Sequence, residues 1–527
     1  MKRSRDVLAC ILLVLAVALL YRKVTRLWWT YDDANMLHTA LEHSTGEYFH
    51  SAAVWPQKLF TPLVMVWYEA MIALFGLAPA TWYVPHLVFF ALSAIAFYFA
   101  LRLYIEPTPA CVGALLYVAA VPVCSLITEL SGIHYFQAVL LGSLTTIAYV
   151  HALRANRIAW SVVSALLYLV AMLAKEIAIP LIAVLLLLPD RDLRARIRFA
   201  IPHALAVAIY FAWRYAILGV LLGGYGWAVE DRLALAVALP KKIVLALAGA
   251  NVTLGIIALA VIAIGVALGM RSRRAVALIV VAIAVAILPA LPVSKEMQRR
   301  YAFATAVTLC AAFAVGAKRK TALLVITPIL AIAANRQEWA HEFGRTQRMA
   351  DEARFFYDLR DGLIRQPIVP PAAMGELQWL KTQIGHRSPN ASWFYDDIVL
   401  CESGIAGKRV YGYQPGERML VELTSDLAAI QRRSCGSIRA NAPLRLEFHH
   451  RHDALFWTFG PYTEGRWRVL MSNALLGYDV PRIDGYSLPG MQGITLRVRY
   501  ESPAGWVTYS PEIPLDFVRR PDQTWQR

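Results

Sequence analysis

Between Val7 and Asn335 the chain repeats one pattern: a long apolar run, then a short polar or basic break. No single soluble core absorbs so many consecutive apolar segments, whereas each run of about 20 apolar residues can cross a bilayer. The composition agrees. Of 527 residues, 58% are hydrophobic and 17% charged, where soluble domains are nearer half and a quarter. The pattern predicts a polytopic α-helical membrane protein with about eleven transmembrane helices, near residues 7–21, 81–103, 109–128, 133–153, 158–174, 176–189, 199–219, 242–268, 275–293, 301–316 and 321–335.

The net charge of +16 is explained by where the cations lie. Arg154, Arg157, Arg191, Arg194, Arg196, Arg198, Arg271, Arg273, Arg274, Lys318, Arg319 and Lys320 all fall in breaks on one side of the alternating topology. Short loops rich in Lys and Arg face the cytoplasm, so nucleic acid is not needed to account for the charge. Lys2, Arg3 and Arg5 precede the first run as in a signal peptide, but Tyr21–Arg26 is bulky and basic and offers no small-residue cleavage site. The expected arrangement is an uncleaved first span, a cytoplasmic N-terminus, multi-pass insertion in a cell inner membrane, and a periplasmic C-terminal domain.

On that topology the first outer loop, residues 22–80, holds an adjacent carboxylate pair, Asp32 and Asp33, just after Trp28, Trp29 and Tyr31. Such aromatics settle at headgroup level, which puts the pair at the membrane–water boundary. Either aspartate also suits the N-cap of the helix-like run from Ala34 to Glu42. Met36–Glu42 and Leu59–Phe75 read as helices lying along the interface. Three cationic features share the same outer face. Lys175-Glu176 joins two short helices, Lys295–Tyr301 sets Arg299 and Arg300 beside Tyr301 where the charge rule disfavours them, and Lys58 stands before the Thr61-Pro62 turn. Arg offers paired donors matched to phosphate, and Lys a point charge. A carboxylate beside cations suits a lipid-phosphate substrate entering from the bilayer: the carboxylate takes a proton from an acceptor hydroxyl and the cations stabilise the departing phosphate.

Beyond Asn335 the composition changes. Gln337–Arg365 reads as a charged helical stalk within a linker spanning 336–392, and from Trp393 alternating segments such as Leu444–His449, Trp467–Met471, Thr495–Tyr500 and Trp506–Tyr509 read as strands of a β-rich domain, 393–527. Cys401 and Cys435 lie there and are expected to pair if the domain faces an oxidising compartment. Cys10, Cys111, Cys124 and Cys310 lie in apolar runs. His450 and His452 share a strand face without further metal ligands at usable spacing, so they read as polar surface. Asp396-Asp397 reads as a turn before a strand.

In order, Asp32-Asp33, Leu59-Phe60-Thr61-Pro62-Leu63, Leu74-Phe75-Gly76-Leu77-Ala78-Pro79, Ser131-Gly132-Ile133-His134-Tyr135, Leu173-Ala174-Lys175-Glu176 and Arg299-Arg300-Tyr301 resemble the motifs of GT-C integral-membrane glycosyltransferases, the class of protein O-mannosyltransferases and lipid A aminoarabinose transferases. The resemblance covers roughly residues 7–316, the bulk of a membrane module at 1–335. It implies a donor sugar on a polyprenyl phosphate, an inverting transfer, Asp32 or Asp33 as base, Arg300 with Lys175 or Arg299 on the donor phosphate beside Tyr301, and His134 and Glu176 lining the cavity. Many relatives carry Asp-Glu where this chain has Asp32-Asp33, and several carry Arg where Thr61 stands, so Lys58 is a candidate substitute. Some members require a divalent metal; with no third carboxylate in evidence, none is predicted here, nor any other cofactor.

The expected partners are a polyprenyl-phosphate-linked sugar, a membrane-surface acceptor (lipopolysaccharide, another envelope glycan, or a protein) and membrane lipid. A glycan ligase or polymerase would use the same leaving-group chemistry. A lipid or solute transporter would instead show internal symmetry and ionisable groups at mid-bilayer, whereas here the charges gather at the outer lip.

Overall fold

The computed structural model describes residues 2–30, 32–55, 59–221, 232–269, 273–293, 297–369, 371–383, 390–402, 407–413, 420–451, 454–471, 476–487, 495–514 and 522–527. These fall into two compact units, one ending at Gln347 and the other running from Arg348 to Arg527.

The first unit is helical. Five of its helical segments, Ser4–Arg26, Pro79–Arg102, Leu130–Ala155, Leu193–Leu218 and Val252–Gly269, are long and apolar enough to cross a membrane. A bent pair, Pro107–Val118 and Val121–Thr128, makes a sixth when counted as one span. Other expected spans are shorter helices: Ile158–Ala174, Leu181–Leu187, Arg273–Ile287 and Phe303–Gly316. At 1.5 Å per residue, a 14-residue helix covers about 21 Å, less than the hydrocarbon thickness.

Two expected spans are interrupted, each for a local reason. The 109–128 run turns by 55° at Ala119-Ala120, where Pro122 has no N–H to donate to the Val118 carbonyl. The 242–268 run divides into Arg232–Ala248 and Val252–Gly269. Gly249 takes a left-handed φ of +79°, which glycine adopts without a Cβ penalty. Asn251 then restarts the helix, its Oδ1 accepting from the Leu254 amide at 3.0 Å.

The first helix is pinned at its far end by Tyr21, which donates to the Val118 carbonyl at 2.8 Å and accepts from Asn335 Nδ2 at 2.7 Å. The chain beyond it folds back over the unit. Trp29, 2% exposed, meets Trp82 edge-on, and Trp82 in turn meets Tyr68. The helix Asp33–Glu42 buries Asp33, Ala34, Leu37 and Ala40, one stripe of a 3.6-residue period. Pro62 opens Pro62–Phe75, the position where its missing N–H costs nothing.

The second unit begins inside a 38-residue helix, Thr321–Asp358, rather than after a stalk ending at 392. Lys381, 1% exposed, closes that helix by donating to the Phe356 carbonyl at 2.8 Å and to the Leu359 carbonyl. Part of the stretch read as linker is therefore folded: Asp361–Arg365 is the middle strand of a sheet, and Pro371–Gln383 is a helix. The sheet order is 390–394, 361–365, 410–413, 420–422, the first three strands parallel and the last antiparallel. Asp396-Asp397 precedes a short helix, Ile398–Glu402, not a strand.

Two antiparallel sheets follow. One runs 507–509, 495–501, 466–471, 476–480, and the other 523–526, 445–451, 454–460, 483–487. Leu446, Phe448, Trp457, Trp467, Val498 and Tyr500 form their common core, and along Thr495–Glu501 every second side chain is buried, as period-two strands require. The strands expected near 444–449, 467–471, 495–500 and 506–509 all lie here. The protein is thus mostly helical, carries five or more candidate membrane spans and ends in a β-rich region.

Cys401 and Cys435 form a disulfide that ties Ile398–Glu402 to Leu427–Gly436. With the two cysteines 34 positions apart in the chain, losing the bridge costs about 3–4 kcal/mol. Replacing both cysteines by serine is therefore expected to lower the unfolding midpoint of the purified protein, and adding reductant to the parent protein should reproduce the shift.

Candidate functional site

The site lies in the first unit, where the loop after the first helix, the break after the bent helix pair, the Lys175 junction and the 3₁₀ turn Arg299–Ala302 come together. The adjacent aspartates are not equivalent. Asp33 is fully buried. Its Oδ1 accepts from the Tyr68 hydroxyl at 2.8 Å and the Ser131 amide at 2.8 Å, and its Oδ2 from the Thr30 amide at 3.1 Å. It stitches the loop to two helices. Asp32 leaves about half of its side chain exposed, and its Oδ2 lies 3.6 Å from Arg300 Nη1. An open carboxylate with a cation beside it can meet a ligand; Asp33, holding three donors, cannot without dismantling the loop.

Burial pushes the Asp33 carboxyl from the ordinary aspartate value of 3.8 up to about 6, against the pull of its three donors. The folded state therefore holds its proton to higher pH than the unfolded chain does. Stability from this group is fully present below about pH 4, falls as pH rises, and levels off above about 6, a total of about 3 kcal/mol. The thermal unfolding midpoint in detergent across pH 4–7 is expected to fall more steeply with pH in the parent protein than in Asp33→Asn, where the buried carboxyls of Glu129, Glu342 and Glu352 still contribute.

Arg300 is held chiefly by a residue that sequence reasoning did not single out. Glu129, 4% exposed, places Oε2 2.9 Å from Arg300 Nη1. Burial pushes its carboxyl upward, and the guanidinium opposes that by favouring the ionised form. Glu129 is the residue between Thr128 and the short turn Leu130–Gly132. The ring of Tyr301 lies 5.5 Å from the Arg300 guanidinium carbon.

Lys175 is 8% exposed, and its Nζ sits 5.1 Å over the Tyr135 ring. The neighbouring carboxylate, Glu176, is paired with Arg214, another residue missed from the sequence. Among the described residues no carboxylate pairs with Lys175. Burial pulls its pKa down, while Glu176 and Asp32 support the charge. The His134 ring lies 4.7 Å from the Tyr135 ring, tilted 32° to it, inside the reach of both cations.

Arg299, expected to share the phosphate, points elsewhere. It pairs with Glu338, which also accepts from the Ala250 amide at 2.7 Å, and lies 3.9 Å from Glu342. Both glutamates belong to Thr321–Asp358, so Arg299 moors that helix. Lys58 lies outside the described residues, as do Lys295 and His452. Among the described residues no group of three or more His, Cys, Asp or Glu side chains is arranged to hold a metal ion.

Asp396 and Asp397 are taken up in the second unit by internal pairs. Asp396 binds Tyr509 and faces Arg468 and Arg499, and Asp397 accepts two bonds from Arg365 and one from Ser434. His449 contacts Asp522 at 2.6 Å.

Comparison with protein-family models finds no match, and no curated protein matches the chain.

Proposed function

We propose that this protein is an inverting glycosyltransferase of GT-C type, with about eleven membrane passages including the short helices, that moves a sugar from a polyprenyl-phosphate donor to a periplasmic acceptor. The observation that carries the reading is the meeting of Asp32, Arg300 and Lys175: an open carboxylate 3.6 Å from a guanidinium, beside a buried ammonium with no carboxylate of its own among the described residues. A buried cation is costly unless an anion completes it, and a phosphate from the lipid phase is such an anion.

In this reading Asp32 accepts the proton of the acceptor hydroxyl. The hydroxyl oxygen forms its bond to the anomeric carbon on the face opposite the phosphate, the carbon–oxygen bond to phosphate breaks, and its electron pair leaves on the phosphate. Arg300 and Lys175 neutralise the charge that grows there, and most strongly so where water is excluded. Asp33 keeps the loop in register so that Asp32 reaches the acceptor.

An inner-membrane location with a periplasmic C-terminal unit follows from the basic breaks on the opposite side and is supported by the Cys401–Cys435 disulfide, a bond that persists in oxidising compartments. The test is release of polyprenyl phosphate from a polyprenyl-phosphate sugar by the purified protein in the presence of envelope acceptors. Release coupled to a glycosylated acceptor supports the reading; no release with any such donor contradicts it.

A further inference from the structure

Arg300 Nη1 is shared unequally between two carboxylates, 2.9 Å from Glu129 and 3.6 Å from Asp32. The two differ in freedom. Glu129 is 4% exposed and lies between a helix end and a tight turn, whereas Asp32 is about half exposed. Gly132 closes that turn so tightly that an added Cβ would lie 2.1 Å from the Leu126 carbonyl oxygen, so the backbone carrying Glu129 has little room to shift. One end of the Arg300 contact is therefore fixed and the other is exchangeable.

We infer that Glu129 is a positioning residue: it holds Arg300 at the site so that the guanidinium rests on Asp32 when no phosphate is present and turns to the phosphate when one arrives, freeing Asp32 as a base. This rests on the glycosyltransferase reading and adds to it a coupling between donor arrival and the base. Before the phosphate binds, the carboxylate is neutralised by the guanidinium beside it. Once the phosphate takes over the guanidinium, the carboxylate is free to accept a proton. Lys175 lies over Tyr135 with no carboxylate contact among the described residues, so it is available to the phosphate from the start.

The sign of one substitution separates positioning from simple charge. Glu129→Gln removes a negative charge near an anion site, so electrostatics alone would tighten phosphate binding. Loss of positioning would weaken it. Asp32→Asn removes a competitor for Arg300 and should tighten binding.

The experiment measures binding of farnesyl phosphate to the full-length protein in detergent by calorimetry, with thermal unfolding as a check on folding. The expected result is about tenfold weaker binding in Glu129→Gln, partial recovery in Glu129→Asp, and about three- to tenfold tighter binding in Asp32→Asn, at the scale set by charge pairs of this separation. Unchanged or tighter binding in Glu129→Gln overturns the inference and leaves the glycosyltransferase reading standing. If Glu129→Gln does not fold, unchanged affinity in both Glu129→Asp and Asp32→Asn overturns it equally. Failure of the parent protein to bind farnesyl phosphate overturns both.

Discussion

If the protein transfers sugar as proposed, Asp32→Asn is expected to lower that transfer by about 10²–10⁴-fold, the contribution of a positioned general base, while the protein stays folded and inserted. The folding half of this expectation follows from Asp32's surroundings. Its side chain is about half exposed and its ion-pair contact to Arg300 is 3.6 Å long, an interaction worth about 1 kcal/mol or less at such exposure. The activity half follows from chemistry: an amide cannot accept the acceptor's proton. Asp33→Asn should behave differently. Its side-chain nitrogen would face the Thr30 amide in place of an oxygen, donor against donor, which leaves a buried N–H unpaired at a cost of about 1–3 kcal/mol. Loss of transfer in Asp33→Asn should therefore come with a stability change, and in Asp32→Asn without one. Kinetics of polyprenyl phosphate release, read beside unfolding midpoints of the same preparations, check both. Full transfer by Asp32→Asn, with Asp33→Asn inactive but equally stable, would reverse the two roles.

The second large effect is expected at Arg300. On the proposed reading, Arg300→Met removes a donor to the leaving phosphate, a loss of about 10²–10³-fold in transfer by analogy with single electrostatic stabilisers of this kind. It also strands Glu129, 4% exposed and 2.9 Å from the missing guanidinium, and breaking one side of a buried pair costs about 3–5 kcal/mol. The two consequences separate in a double variant. Arg300→Met with Glu129→Gln removes the stranded charge, so the unfolding midpoint should recover most of its loss while transfer stays low. A double variant that regains transfer along with stability would show that Arg300 acts only by holding the fold together.

Several parts of this site are visible in the chain before it folds, because they are violations of a simple rule. Asp32-Asp33, Lys175-Glu176 and Arg299-Arg300 are charges at the ends of apolar runs, where a membrane protein gains nothing from them unless they are paired or used. What local sequence cannot tell is which charge is paired with which. Two of the three donors that bury Asp33 come from far along the chain, Tyr68 at 35 residues and Ser131 at 98. Arg299 and Arg300 are adjacent, yet one turns to Glu338 and the other to Glu129, 39 and 171 residues distant. Glu129 reads as an ordinary loop residue until that distant guanidinium is placed beside it.

The fold was legible to a similar depth. Apolar runs mark the helices, but the breaks at Pro122 and Gly249 interrupt them without changing their hydrophobicity. Alternation marks a strand such as Thr495–Glu501, in which every second side chain is buried. The five-residue strand Asp361–Arg365 is parallel to both neighbours and carries the buried run Gly362-Leu363-Ile364, so it shows no alternation and sits hidden behind a charged helix.

The most direct test compares the surface-glycan composition of cells carrying the parent protein with cells carrying Asp32→Asn at the same membrane level. One sugar missing from a single class of acceptor in the variant cells, with its polyprenyl-phosphate donor accumulating, is the predicted result. Identical glycans in the two strains, with no donor accumulating, would contradict the account at its centre.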